Sequence, residues 1–182
     1  MVVPKGETFV DPGYTAELNG EDFSSQVSVS SNVNTSKSGV YSISYSAVNE
    51  DGFAASVIRT VVVLDLEDPI EGFYTVDPSS NRNGTAYGGY EVLIINEGDD
   101  YFVDDLLGGW YRDRAGYGDA YAMQGWLGFD EDGVAELYDS YVEGWGDSAD
   151  SFEGSYDFAT NTFNYVVVYA GTLNFSVKLV KE

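Results

Sequence analysis

The 182-residue chain contains no cysteine and no histidine. Without cysteine there is no disulfide, no thiol nucleophile and no thiolate zinc site. Without histidine there is no imidazole to serve as a general base or a metal ligand near neutral pH. Cations are scarce as well: eight Lys and Arg stand against 31 Asp and Glu, for a formal net charge of −23. A chain this acidic repels phosphate backbones and anionic lipid, so nucleic acid and a bare membrane surface are excluded as expected partners. No stretch approaches the roughly 18 apolar residues of a membrane-spanning helix. No signal peptide is recognisable. The chain opens at Met1-Val2-Val3-Pro4, already close to a strand, and a targeting segment upstream is expected.

Rings are what the chain has in plenty: fifteen Tyr, ten Phe and three Trp. Tyr, Phe and Val pack well on a pleated surface, and strong helix formers are few. Alternation confirms the preference. In Gly39–Val48, Tyr41, Ile43, Tyr45 and Ala47 share the likelier core face. Asp51-Gly52 then marks a hairpin turn, and Ala55–Asp65 is a long β-branched run. No window in residues 1–66 has a helical period, so the first part reads as a small sandwich. The acidic stretch Asp65–Gly72 contains Pro69, which cannot donate to a ladder and biases Asp68 to extended backbone. Residues 67–71 are the expected linker between domains at 1–66 and 72–182.

The second part offers eight strand candidates: Gly72–Asp77, Gly89–Ile95, Tyr101–Asp104, Tyr121–Phe129, Val134–Asp139, Ser151–Phe158, Thr162–Tyr169 and Leu173–Val180. Three-residue turns join the last three, which indicates an antiparallel meander. The fold class is therefore all-β, an immunoglobulin-like sandwich followed by an eight-stranded antiparallel barrel or curved sheet with a lipocalin-like outline. Residues 1–68 hold ten acids and three bases, net −7, and residues 69–182 hold 21 and five, net −16. The acidity concentrates in the second domain.

Residues 3–65 resemble the bacterial immunoglobulin-like domains of the DUF5011 type. The carrying features are Gly6, Phe9 and Asp11-Pro12-Gly13, the run Val33–Asp51, and Arg59–Val63. The departures are the short start at Val2-Val3 and "NEDGF" in place of "DxxGN". The second domain is similar in pattern to the DUF5012-type partner domain of Bacteroidetes lipoproteins, through "YFVDDLLGGWY", "GYGDAYAMQGWLGFDEDG" and "GSYDFATNTFNYVVVYAG". The resemblance implies a secreted, outer-membrane surface lipoprotein whose lipid anchor lies outside this chain. It implies no activity.

The leading candidate site is Leu106–Trp126, "LLGGWYRDRAGYGDAYAMQGW". In one reading Trp110, Tyr111, Tyr117, Tyr121 and Trp126 offer flat faces to sugar rings, and Arg112, Asp113, Arg114 and Asp119 bond hydroxyls. Gly108, Gly109, Gly116 and Gly118 would bend the backbone toward the ligand. In the other reading the tryptophans fill the barrel and the Arg-Asp-Arg triple makes surface ion pairs. Strand parity puts Tyr121, Met123, Gly125, Leu127 and Phe129 on the core face and Trp126 opposite. Trp145, between Gly144 and Gly146, belongs to a loop and is a further contact candidate. The ligand set is thus Trp110, Tyr111, Arg112, Arg114, Tyr117, Trp126 and Trp145.

Metal and catalytic readings find less. Asp130–Gly133 has Gly at the fourth place and Tyr141 at the twelfth, so EF-hand spacing fails. With 31 acids some carboxylate pair always falls at a glycosidase separation, so spacing carries no information. There is no GxSxG elbow, and the glycine runs lack the helix of a phosphate loop. The expectation is a monomeric, non-catalytic surface module with no cofactor and no metal, meeting a glycan or a surface protein. The alternatives are a purely structural or assembly subunit and, more weakly, a carrier of a small apolar ligand.

Overall fold

Alternation in Gly39–Val48 and the β-branched run after it build one long hairpin, the centre of the first of two units. The computed structural model describes residues 1–182, which divide into Met1–Asp65 and Leu66–Glu182. In the first unit the strands are β1 (Val2–Pro4), β2 (Glu17–Leu18), β3 (Glu21–Asp22), β4 (Ser28–Ser31), β5 (Gly39–Val48) and β6 (Ala54–Leu64). The main sheet runs β1-β6-β5-β4, with β1 parallel to β6 and the other pairs antiparallel. The loop after β1 lies over this sheet, with Phe9 on its core and Tyr14 5.0 Å from Tyr45. Ile43, Tyr45, Val61 and Val63 are buried beneath it with Phe9, Val27 and Val33 packed against them. That row includes the face that strand parity assigns in β5. The residues carrying the family resemblance meet here: Asp11 accepts from the Tyr45 hydroxyl at 2.7 Å and pairs with Arg59, which also donates to the Gly13 carbonyl at 2.9 Å. This network ties the loop to both central strands.

The second unit contains β7 (Gly72–Val76), β8 (Asn81–Arg82), β9 (Thr85–Ala86), β10 (Glu91–Asn96), β11 (Tyr101–Val103), β12 (Met123–Phe129), β13 (Val134–Val142), β14 (Ala149–Asp157), β15 (Thr162–Tyr169) and β16 (Leu173–Lys181). Eight of these close an antiparallel barrel in the order β7-β10-β11-β12-β13-β14-β15-β16, with β16 returning to β7. Closure removes exposed sheet edges. All eight strands expected from the sequence are present, within a few residues at their ends. The β8–β9 hairpin is additional and attaches to β16 through Phe175 and Ser176. Its turn is Asn83-Gly84, both left-handed at φ 48° and 81°.

Residues 67–71 differ from a free linker. Asp68 accepts the Ile70 and Glu71 amides and the Asn96 side-chain amide, and Ile70 and Glu71 are buried. These bonds outweigh the cost of burial and hold the Asp68 carboxyl below the usual range. The segment is the first turn of the barrel domain.

The barrel interior is filled by its own side chains. Tyr74, Val103, Leu106, Leu107, Met123, Leu127, Phe163, Phe175 and Leu179 are solvent-inaccessible and belong to one continuous cluster. A carrier of a small apolar ligand needs a vacant lumen. This lumen is occupied, so the lipocalin-like resemblance stops at the outline.

Candidate functional site

The long connection from β11 to β12, Asp104–Ala122, covers one end of the barrel. Asp105 anchors it. Its fully buried carboxylate accepts amide bonds from Leu107 at 2.9 Å, Gly109 at 2.9 Å and Met123 at 3.1 Å. Burial pushes the carboxyl up to about 6 against the opposing pull of Arg112 and these amides. Leu106 and Leu107 follow and plug the lumen. Gly125 leaves the space for Leu106, whose Cδ1 would lie 2.4 Å from a Cβ at that position.

Gly108 and Gly109 then turn the chain outward in left-handed backbone. The next residues, Trp110–Arg114, form a single π-helical turn closed by amide bonds from Arg114 to the Gly109 carbonyl and from Ala115 to the Trp110 carbonyl. Such turns are rare and recur at functional positions. This one throws Trp110 and Tyr111 onto the barrel end. Trp110 stands edge-on to Tyr87 at 5.0 Å and to Phe175 at 6.1 Å.

The β13–β14 turn brings Trp145 to the same place. Strand pairing puts the end of β13, the start of β14 and the end of β15 at this end of the barrel. The Gly144 amide donates to the Ala120 carbonyl at 2.6 Å, joining the two loops directly. Trp145 meets Tyr111 at 4.7 Å, Tyr121 at 4.8 Å and Tyr169 at 6.0 Å between ring centres. Tyr117 lies parallel to Tyr111 at 6.0 Å and edge-on to Tyr121 at 5.3 Å. Tyr117 is 56% and Trp145 40% exposed, so the cluster is a half-buried aromatic base over the buried Tyr169, with two rings open to solvent. The Tyr169 hydroxyl is held by Asp147 at 2.7 Å, which fixes the floor.

Two guanidiniums border the rings. Arg114 sits 4.2 Å and Arg82 5.1 Å from the centre of Trp110, and Arg82 is 5.5 Å from Tyr111. Cations therefore cover the Trp110 ring, and it is a support here, not an open stacking face.

Of the seven sequence candidates, Trp110, Tyr111, Arg114, Tyr117 and Trp145 come together. Arg112 does not join them. Its guanidinium bonds Asp104 at 2.8 Å, Asp113 at 2.9 Å and the Glu91 carbonyl, which engages all three of its nitrogens as an internal clamp. Trp126 lies apart on the outer barrel face, as parity places it. It is half-buried against Phe102 at 5.3 Å, with its indole N–H donated to Glu97 at 3.2 Å. Tyr121 departs from the core role expected of it. The strand begins only at Met123, so Tyr121 sits in a short 3₁₀ turn and joins the cluster. Arg82, Tyr169 and Phe175 were not legible as site residues. The Asn83-Gly84 turn signal could have revealed the hairpin that carries Arg82.

Comparison with known proteins bears on each of the two units. A family model described as a bacterial surface protein, immunoglobulin-like domain, matches residues 1–63. A model for a C-terminal domain matches residues 64–181. Among solved structures, the chain is similar to the lipoprotein BT2262 from Bacteroides thetaiotaomicron. The TM-score is 0.85 at 42% identity, covering 99% of this chain and 94% of that one. A structure of CBM51-2 with GlcNAc and INT domains from Clostridium perfringens ZmpB aligns at TM-score 0.30 and 15% identity, covering 98% of this chain and 41% of that one, and carries no argument. No curated protein matches.

Proposed function

Because this chain belongs to the family of the Bacteroides lipoprotein BT2262, we propose that it is a non-catalytic cell-surface module that binds a glycan at the aromatic end of its barrel. Neither matching domain model is of a catalytic family. No helix is long and apolar enough to cross a membrane. The reading places the chain at the cell surface as a lipid-anchored monomer, with the immunoglobulin-like unit as the spacer.

One observation carries the glycan reading: Trp145 and Tyr117 remain open on a base of rings supplied by two loops and by Tyr169 at the end of β15. Flat, solvent-facing aromatic rings on a rigid support suit the C–H face of a pyranose. The glycines and the π-turn give this cluster its shape. Trp145→Ala is expected to lower affinity for a bound oligosaccharide about tenfold, the loss of roughly one aromatic contact. Because the ring is only 40% exposed and packs on Tyr111, Tyr121 and Tyr169, unfolding stability should also fall, by about 1–3 kcal/mol, with the barrel still folded. Calorimetric titration over a broad panel of soluble oligosaccharides, paired with urea unfolding, reads both. No heat from any glycan would leave the structural reading in its place.

That second reading has one feature in its favour. The distal half of β6 presents Val57 and Ile58 at 68% and 67% exposure. Thr60 and Val62 point their backbone groups at Met1, so by strand period Ser56 and Ile58 offer theirs to an open edge. An uncovered apolar edge suits docking of another strand.

A further inference from the structure

Five cations occupy residues 69–182 against 21 acids. Three are tied down. Arg112 is held by Asp104 and Asp113, Lys178 by Asp77 at 3.6 Å, and Lys181 by the carbonyls of Asp68 and Pro69. Arg82 and Arg114 have no carboxylate partner. Arg114 donates to the Ala86 carbonyl at 3.2 Å, and Arg82 is packed only on rings, those of Trp110, Tyr111 and Phe175. In so acidic a domain a carboxylate beside each guanidinium would be the ordinary outcome. Instead both converge on one indole.

The position matters as much as the charge. Tyr111 lies 5.5 Å from the Arg82 guanidinium and 4.7 Å from Trp145, and so bridges the cations to the open rings. Carboxylates nearby are turned to protein partners: Asp147 to the Tyr169 hydroxyl, Asp150 to the Gly171 amide and Asp113 to Arg112. Glu143 and Asp119 are the exposed acids left in the flanking loops. A guanidinium seated on aromatic faces is weakly hydrated and keeps its in-plane donors, which match a carboxylate in bidentate geometry. We infer that the site takes an acidic sugar, a uronate whose pyranose face rests on Trp145, with Tyr117 standing edge-on beside it at 81°, while its carboxylate meets Arg82 and Arg114. This deepens the glycan reading and rests on it.

The test compares oligogalacturonate with neutral oligogalactose by calorimetric titration of the full chain at low and high salt. The uronate should bind about tenfold tighter at low salt, as two partly exposed ion pairs allow, and the preference should shrink as salt screens them. Arg82→Gln and Arg114→Gln should each lower the ratio of uronate to neutral-sugar affinity, a ratio in which any general weakening of the site cancels. Arg82→Lys should retain part of it. Far-ultraviolet circular dichroism establishes that each variant is folded. Equal binding of the two sugars, or a preference that survives both Gln variants, overturns the acidic-sugar assignment and leaves the glycan reading intact. Absence of binding by every saccharide overturns both.

Discussion

Asp105→Ala is expected to cost the barrel about 3 kcal/mol at pH 7, because three buried amides lose their acceptor at roughly 1–3 kcal/mol each and relaxation recovers only part. Against a typical total of about 5–15 kcal/mol, that is a large share. For a unit of this size the melting midpoint should fall by about 10 °C. Leu107, Gly109 and Met123 donate the three bonds, so the loss falls on the plug and on the π-turn that carries Trp110 and Tyr111. Near-ultraviolet circular dichroism should therefore weaken more than far-ultraviolet signal.

The pH dependence gives this prediction a second edge. Burial raises the Asp105 carboxyl from 3.8 to about 6, so between those values the folded barrel binds more protons than the unfolded chain. Its contribution is full below the unfolded value and is lost as pH rises through about 6. The wild-type advantage over Asp105→Ala should accordingly grow, by about 1–2 kcal/mol, when urea unfolding is moved from pH 7 to pH 5. An advantage that stays constant over this range would contradict this and mean that the three amides hold the carboxylate ionised below pH 5.

Gly109→Ala should be the second severe change. A Cβ there would lie 2.6 Å from the Tyr90 Cβ and 2.7 Å from an Asp113 carboxylate oxygen, and φ is +76°. Left-handed backbone costs an alanine about 1–2 kcal/mol, and forcing the contact adds about 1–3 kcal/mol. Gly116→Ala separates the two causes. Its φ is +71° but nothing lies within 4 Å, so it should lose only the backbone part. Urea unfolding of both variants measures the difference. Equal losses would show that crowding at Gly109 is relieved by a shift of Tyr90.

The strands of the barrel were readable because period-2 alternation and turn residues are local signals. Met123, Gly125 and Leu127 fall on the core face, and Trp126 outside it, as parity requires. The closing of the barrel by β7 and β16 joins residues a hundred apart, and no local pattern encodes it. The connection Asp104–Ala122 was harder. Its ring content marked it as notable, but whether each ring plugs, supports or faces solvent depends on the Gly108-Gly109 turn and on Asp105, which ties the segment down from beneath. Arg112 and Arg114, two residues apart and alike in sequence, end in different roles because one points toward Asp104 and the other toward Trp110. The charge count made the domain acidic but gave no hint that two guanidiniums would escape pairing.

The three indole N–H signals in a nitrogen–proton correlation spectrum test the central claim most directly. They report separately on Trp145 in the open cluster, Trp110 beneath the guanidiniums and Trp126 on the far strand face bonded to Glu97. On titration with a binding oligosaccharide, the Trp145 signal should move most, Trp110 less, and Trp126 not at all. Movement of Trp126 with Trp145 stationary would place binding elsewhere on the barrel and contradict the account.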